Sequence, residues 1–319
     1  MNTVGGVGQG HGQGHGKVIL LGEHSVVYGR PAIALGIPRG CSARAEFGSV
    51  DSLAVEPWGV RVEAERPEAD SERELLRRAF ATLCERYSAA DSARQPLEVQ
   101  ARMEIPGGAG LGGSAALGVA ILRAIDARLD RSSAPDELLE AALAWERVFH
   151  GNPSGVDSAM AARGGLALYR RGEPLVTIHM RRALQLVVAN SGEHGSTKLM
   201  VESVARQHAR DTPKTEQIFD AIAALVANAK SALETGDHPR LGQLMDMNQT
   251  VLNTLMLSTS TLEAMCKVAR GAGALGAKLT GGGGGGCMIA LARDGASAQP
   301  IARALSEAGH EAFVVEVSP

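Results

Sequence analysis

Residues 106–116 read PGGAGLGGSAA, so a glycine cluster leads through Ser114 into an apolar, helix-forming stretch. The preceding residues 97–105 alternate in polarity like a strand, and residues 115–129 have helical periodicity. Because glycine lacks a Cβ, a loop of this kind can bring backbone N–H groups close to an anion at the start of a helix. The run therefore predicts a phosphate-binding loop between a strand and a helix.

Composition excludes several classes of partner. The 319 residues suffice for two domains, and a hydrophobic content of 45% is typical of a globular protein. A net charge of −3 and an aromatic content of 3% argue against nucleic acid. No apolar run reaches the roughly 18 residues that a membrane span needs. We therefore predict a small-molecule ligand, with neither a nucleic-acid nor a membrane partner.

The cysteines indicate the compartment. Cys41, Cys84, Cys266 and Cys287 form no CxxC pair, which argues against a zinc site and against a disulfide framework. A reducing, cytoplasmic location is the prediction that follows.

The chain divides into three segments by pattern. Residues 1–16 are low-complexity glycine with His11 and His15, and predict a flexible leader rather than a metal site. Residues 17–181 mix strands and helices, whereas residues 182–319 carry long amphipathic helices and a small sheet. The prediction is an α+β fold of two domains with a boundary near residue 181.

Helix signals recur in both halves of the chain. A capping box from Ser71 to Glu74 opens a helix over residues 71–88, and a second helix over 134–149 ends at the turn HGNPSG. The second half predicts helices at about 197–210, 213–235, 238–255 and 260–272, then the strands CMIALAR and FVVEV around a helix at 297–308.

Residues 108–113 also match the dinucleotide pattern GxGxxG, which raises an oxidoreductase as a competing function. That fingerprint requires an acid about 20 residues further on, at the end of the next strand. The nearest acids, Asp126 and Asp130, fall within or at the end of the predicted helix. Ser114 stands at the start of that helix, where its hydroxyl could reach a phosphate or Mg²⁺ or cap the helix. The nucleotide-phosphate interpretation is favoured.

Two carboxylates flank the turn in WERVFHGNPSGVD. Glu146 precedes the turn and Asp157 follows it, so both can face one site. Taken alone, Glu146 could be a surface acid, and Asp157 could cap a helix through the pattern Ser154-x-x-Asp157. Together with a phosphate loop, one acid for Mg²⁺ and one for an acceptor hydroxyl form a coherent kinase site.

Two further segments are ambiguous when taken alone. A strand and the turn after it carry Lys17, Glu23 and His24, which suit a polar pocket. Alternatively, Lys17 is a solvated strand start and His24 a hydrogen-bonded turn residue. Residues 281–286 are six consecutive glycines after Thr280, which suit either a flexible connector or a close backbone approach to a ligand or to another loop.

In combination, these segments resemble the GHMP kinases. KVILLGEHSVVYG from residue 17, PGGAGLGGSAA, HGNPSGVD and KLTGGGGGGC are similar to the family's first motif, phosphate loop, catalytic turn and third motif, in the same order. The resemblance implies a two-domain GHMP kinase fold, with an N-terminal domain like ribosomal protein S5 domain 2 and a ferredoxin-like C-terminal domain.

GEHSVVYG and HGNPSGVD are most similar to the members that act on mevalonate. The resemblance therefore implies transfer of phosphate from ATP, with Mg²⁺, to the primary hydroxyl of mevalonate in isoprenoid precursor biosynthesis. Another GHMP kinase acting on phosphomevalonate or homoserine, a nicotinamide-dependent oxidoreductase and a non-catalytic nucleotide-binding regulator remain alternatives. A homodimer is compatible with the resemblance, and the sequence leaves the oligomeric state open.

The resemblance also assigns roles to residues. Asp157 falls on the catalytic aspartate and Lys17 on the lysine beside it, while Ser114 and Glu146 fall on the Mg²⁺ ligands. The ATP phosphates are assigned to Gly108, Ala109, Gly110, Leu111, Gly112, Gly113 and Ser114. The substrate side is assigned to Glu23, His24, Thr197, Thr280 and Gly281.

Two positions depart from the family pattern. Gly113 replaces the serine usual before Ser114, so that hydroxyl is absent here. Gly282 replaces a common alanine, which predicts a looser third loop that keeps its backbone N–H groups.

Overall fold

The computed structural model describes residues 8–151, 153 and 155–318. They form two compact units that interleave along the chain. The first unit contains the described residues up to Gly16, Arg39–Ile105 and Gly112–Arg163, and the second contains Lys17–Pro38, Pro106–Leu111 and the residues from Gly164 onward. The single boundary near residue 181 stays a prediction.

The first unit combines helices with a mixed sheet. Its helices are α1 (Ser71–Ala90), α2 (Gly113–Arg128), α3 (Pro135–His150) and α4 (Val156–Arg163). Its strands are β3 (Ser52–Glu56), β4 (Val60–Glu63) and β5 (Leu97–Met103), with parts of β1 (Gly10–Leu21) and β2 (Ala32–Phe47). β3 pairs antiparallel with β4 and parallel with β5, and β5 pairs antiparallel with residues 41–47 of β2. Phe80 and Trp145 are fully buried in its core.

The second unit has a four-stranded antiparallel sheet. Its strands β8 (Leu184–Asn190), β9 (Gly276–Leu279), β10 (Cys287–Ala292) and β11 (Glu311–Val317) lie in the order β11-β8-β10-β9. Its helices are α5 (Thr197–Arg210), α6 (Thr212–Thr235), α7 (His238–Thr254), α8 (Ser260–Gly271) and α9 (Gly295–Glu307). Residues 32–35 of β2 pair with β6 (Leu166–Tyr169), which pairs with β7 (Val176–Thr177), and a 3₁₀ turn covers Ser25–Tyr28.

The glycines of the supposed leader form the face of β1 that packs on α2. Gly10, Gly12 and Gly14 are buried and alternate with the exposed His11 and Gln13. A Cβ on these glycines would lie 2.1, 2.2 and 2.1 Å from the carbonyl oxygens of Ala124, Ala120 and Ala116. The prediction of a flexible leader is therefore corrected for residues 10–16, while residues 1–7 lie outside the described residues. Burial here comes from close backbone contact rather than from apolar side chains.

We expect Gly12→Ala to lower the free energy of unfolding by about 3 kcal/mol, because its Cβ overlaps the backbone of a helix that cannot move aside cheaply. The matched control is Gly8→Ala, where a Cβ meets nothing within 4 Å. Urea unfolding followed by the fluorescence of Trp145 reports the first unit. Equal stability of the two variants would contradict this packing.

The first helix begins differently from the prediction. Asp70 caps α1, since its carboxylate accepts the N–H groups of Glu72 and Arg73 at 3.1 and 2.9 Å. The capping box from Ser71 to Glu74 is therefore wrong. Glu74 instead accepts the N–H of Glu68 at 3.0 Å and pairs with a neighbouring arginine. A carboxylate one residue before the helix satisfies two of its free N–H groups.

The chain after α2 does not follow the dinucleotide-binding pattern. The element after α2 is the helix α3, where the fingerprint needs a strand. Asp126 is buried inside the unit and accepts the Tyr87 hydroxyl at 2.7 Å and the Ser133 N–H at 3.3 Å. Neither acid therefore follows a strand as a ribose ligand must.

Most predicted elements of the second half are confirmed within one to three residues, and the bounds of α5 match the predicted ones. The sequence analysis missed β9. The four cysteines are free and buried, and burial raises the pKa of each thiol to about 12. None of the helices in the described part of the chain combines the length and the apolar character that crossing a bilayer requires.

Candidate active site

The phosphate loop alternates buried and open positions within the second unit. Ala109 and Leu111 point inward, with 5% and 1% of their surfaces exposed, whereas Gly108 and Gly110 are exposed with φ of 67° and 77°. Among the described residues, none accepts a backbone hydrogen bond from residues 107–110. Successive free N–H groups in such a turn form a concave site for an anion.

The same loop is held from two directions. The N–H of Lys17, on β1, donates to the carbonyl oxygen of Leu111 at 2.8 Å. A Cβ on Gly281 would lie 3.5 Å from the carbonyl oxygen of Gly110, and one on Gly286 would lie 3.1 Å from that of Ala109. The third glycine loop (residues 281–286) therefore borders the phosphate loop, as the close-approach interpretation predicts.

Thr280 ties the third glycine loop to β1. Its hydroxyl accepts the N–H of Ile19 at 2.9 Å and donates to the carbonyl oxygen of Ile19 at 3.0 Å. The residue is 2% exposed. Its hydroxyl is therefore already used inside the unit, and this favours a positioning role over the substrate contact that the sequence predicts.

Glu23 occupies a buried ion pair. One carboxylate oxygen pairs with the ammonium of Lys278, and the other accepts the amide of Asn248 at 3.1 Å. Glu23 and Lys278 are both fully buried. Burial lowers the pKa of Lys278, and the neighbouring carboxylate opposes that shift. Glu23 thus links the turn after β1 to β9, and direct substrate contact by Glu23 stays a prediction that its burial does not favour.

His24 sits in the left-handed region, with φ of 59°, and is 5% exposed. Its Nε2 donates to the carbonyl oxygen of Gly282 at 2.8 Å, so the neutral ring carries its proton on Nε2. Burial lowers the pKa of His24, against the opposing effects of this hydrogen bond and of Glu23. The side chain therefore fixes the third glycine loop relative to the turn that carries it.

The lowered pKa of His24 predicts a pH dependence of stability. A histidine that binds a proton less readily when folded contributes stability above its unfolded pKa of about 6.5 and loses it as the pH falls through the folded value. Between pH 7.5 and 5.5, we expect the loss in the free energy of unfolding to be about 1 kcal/mol smaller in His24→Gln than in the wild type. Urea unfolding at both pH values measures this difference. Identical pH dependence in the two proteins would contradict it.

Thr197 begins α5 and lies over Gly282. A Cβ on Gly282 would lie 2.8 Å from the Thr197 hydroxyl oxygen and 3.0 Å from its Cα. The third loop is therefore closely packed here rather than loosened by the glycine. Thr197 itself remains exposed.

In the first unit, the side chains of Ser114 and Glu146 both lie close to the ring of His150. Ser114 lies in the first turn of α2, after Gly112 at the N-cap position, so its hydroxyl is not the cap. Its Oγ lies 3.5 Å from His150 Nε2, and Glu146 Oε2 lies 3.9 Å from the same nitrogen. Trp145 Nε1 donates to the carbonyl oxygen of Ser114 at 2.8 Å and so anchors α3 to the start of α2. One hydroxyl oxygen and one carboxylate oxygen therefore both lie within 4 Å of His150 Nε2.

Asp157 lies in the first turn of α4 and is partly exposed. Ser154, the partner in the alternative capping pattern, lies outside the described residues. A carboxylate in this position is favoured by the helix dipole.

Sequence reasoning missed Lys278 and Asn248 as partners of Glu23, and His150 beside the Ser114 and Glu146 oxygens. Lys278 was visible in KLTGGGGGGC, but nothing local indicated that its charge is buried. The described residues hold no cluster of three or more histidine, cysteine or acidic side chains that could bind a metal alone.

Models of one protein family match two regions of the chain. The model of the GHMP kinase N-terminal domain matches residues 74–165, and that of the GHMP kinase C-terminal region matches residues 229–311. The mevalonate kinase of Pyrococcus abyssi is 34% identical over 95% of this chain and 93% of its own. The chain belongs to the GHMP kinase family. Membership of a kinase family implies that it uses ATP.

Other relatives of the family agree. The mevalonate kinase of Thermococcus gammatolerans is 35% identical over 95% of this chain and 94% of its own. The crystal structure of L. major mevalonate kinase in complex with R-mevalonate is 31% identical, with a TM-score of 0.85 over 97% of this chain and 96% of that one. The predicted two-domain GHMP kinase fold is thereby confirmed.

Proposed function

We propose that this chain transfers the γ-phosphate of ATP to the primary hydroxyl of mevalonate, giving 5-phosphomevalonate and ADP in isoprenoid precursor biosynthesis. The observation that carries the proposal is the 31–35% identity, over nearly the whole chain, to proteins named mevalonate kinase. One of them was crystallised with R-mevalonate. The residues that the motifs assign to phosphate binding and to proton transfer are present.

The phosphate loop would hold the nucleotide through its backbone. The exposed glycines at 108 and 110 leave N–H groups available to phosphate oxygens, and α2 begins directly after them. The third glycine loop supports this arrangement from the side. Positioning and charge neutralisation supply most of the rate in phosphoryl transfer, because the protein performs little covalent chemistry of its own.

The donor set near His150 fits Mg²⁺. A hydroxyl and a carboxylate oxygen lie within 4 Å of one nitrogen, and Mg²⁺ takes few protein ligands when phosphates and water complete its shell. Ser114 and Glu146 would therefore hold the ion. When bound, Mg²⁺ supplies charge neutralisation on the phosphate oxygens.

Asp157 would orient the acceptor hydroxyl and take its proton late in the transfer. Lys17 would stabilise negative charge on the transferred group. Loss of the Lys17 ammonium should therefore lower kcat more than it raises KM. Thr197 and Gly281 remain proposed contacts on the substrate side.

Three alternatives give different outcomes. Another GHMP kinase would use the same ATP site with phosphomevalonate or homoserine as acceptor. A nicotinamide-dependent oxidoreductase is disfavoured because a helix, not a strand, follows α2. A non-catalytic regulator would bind ATP without releasing ADP.

The test is ADP release by the purified protein with ATP, Mg²⁺ and each acceptor offered separately. Turnover with mevalonate alone is expected. Turnover with phosphomevalonate or homoserine instead would overturn the acceptor and keep the chemistry. Absence of turnover with all three, together with NAD(P)H binding, would overturn the kinase proposal.

A further inference from the structure

An imidazole that none of the motifs explains lies beside the phosphate loop. His194 belongs to the loop between β8 and α5, in the same unit as residues 106–111. A Cβ on Gly108 would lie 3.5 Å from His194 Nδ1 and 3.9 Å from its Cε1. The residue is exposed, and its ring makes no hydrogen bond to any residue that the structure describes. The ring N–H group of His194 is therefore available to a ligand.

The backbone before His194 is held firmly. The Glu193 carboxylate accepts the hydroxyls of Thr259 and Thr261 at 2.7 and 2.6 Å, and these hydrogen bonds lower the pKa of Glu193. The carbonyl oxygen of Glu193 accepts the N–H of Gly286 at 2.8 Å. Glu193 thus joins the loop to the start of α8 and to the third glycine loop.

The backbone after His194 is equally restricted. A Cβ on Gly195 would lie 2.6 Å from the carbonyl oxygen of Gly283, so only glycine allows this approach. Ser196 then caps α5 by accepting the N–H of Leu199 at 3.3 Å. Because the residues on both sides of His194 are fixed, its imidazole is held beside Gly108 rather than carried on a freely moving loop.

The chemistry of this position matches a phosphate. The loop presents unused N–H groups at 107–110, and an imidazole N–H beside them adds a further donor whose strength increases when the ring is protonated. The carboxylate nearest in sequence, Glu193, is occupied by its two threonines. An anion is therefore favoured at this point over a cation.

We infer that His194 is a nucleotide-binding residue that donates a hydrogen bond to the polyphosphate of the nucleotide held by Gly108. The inference rests on the proposed function, since it takes ATP as the phosphoryl donor. It adds a side-chain contact to a phosphate site otherwise built from backbone N–H groups.

A nucleotide series separates a phosphate contact from a structural effect. Binding of ATP, ADP and AMP to the full-length chain is measured by isothermal titration calorimetry for the wild type, His194→Ala and His194→Lys. We expect His194→Ala to weaken ATP binding about fivefold to tenfold and AMP binding less than twofold, because only the longer chain reaches the imidazole. His194→Lys, which restores a cationic donor, should bind ATP within about threefold of the wild type.

The matched control is His179→Ala, which removes another exposed histidine of the same unit. It should leave all three affinities unchanged. Equal weakening of ATP and AMP in His194→Ala, or no weakening at all, would overturn the inference.

Failure of the proposed function gives a different pattern. If the wild type binds ATP but phosphorylates another acceptor, the nucleotide series still tests His194, since it contains no acceptor. If the wild type binds no ATP, both proposals fall.

Discussion

Asp157→Asn is expected to lower kcat by about a thousandfold while the KM for ATP changes by less than about threefold. Asparagine keeps the size of the side chain and can still accept a hydrogen bond, but it cannot take the proton of the acceptor hydroxyl. A loss confined to kcat would identify an interaction made in the transition state rather than in the bound ground state. Steady-state ADP release with mevalonate and ATP varied separately measures both constants.

The matched control is Asp136→Asn, which removes an exposed carboxylate from the first turn of α3 in the same unit. Each substitution loses a favourable interaction with a helix N-terminus, worth about 0.3–1 kcal/mol. The two variants should therefore unfold at similar urea concentrations, and only Asp157→Asn should lose turnover. Near-normal turnover of a folded Asp157→Asn protein would remove the carboxylate from the mechanism.

The second large effect is on stability. Lys278→Met is expected to lower the free energy of unfolding by about 3–5 kcal/mol, because it leaves the Glu23 carboxylate buried without its partner charge. The double variant Glu23→Gln with Lys278→Met removes both charges and keeps an acceptor for Asn248. It should recover most of the loss, since breaking one half of a buried pair costs more than replacing the whole pair.

Urea unfolding followed by far-UV circular dichroism measures this effect. Circular dichroism is required because Trp58 and Trp145 both belong to the first unit, whereas the pair lies in the second. The control Lys230→Met removes a partly exposed lysine paired with Glu234 and should change stability by less than about 1 kcal/mol. If the single and the double variant were equally unstable, the two charges would not be coupled.

These two experiments separate the roles of the family motifs. Asp157, the aspartate of the catalytic turn, is partly exposed. Its replacement should therefore change the stability of the fold little and lower the turnover strongly. Glu23, the acid in the first motif, is fully buried. Loss of its ion pair with Lys278 should therefore lower the stability of the fold rather than act first on substrate binding. Resemblance to a family assigns both residues to the site without this distinction.

Local sequence was sufficient for most secondary structure and for the family. Helical periodicity predicts α5 with its observed bounds. The phosphate loop, the catalytic turn and the third glycine loop are continuous segments, and their combination in the same order carries the resemblance to the family. Fold class, kinase family and the candidate catalytic aspartate were therefore predictable.

Tertiary structure decided the features whose partners are distant in the chain. The glycines at 10, 12 and 14 resemble a disordered segment because the helix backbone that buries them begins about a hundred residues later. Glu23 and Lys278, separated by 255 positions, show no local sign that they share a buried pair. His194 acquires its place beside Gly108 only because its neighbours pack against the third glycine loop. Periodicity encodes which face of an element is buried, but only folding determines what covers that face.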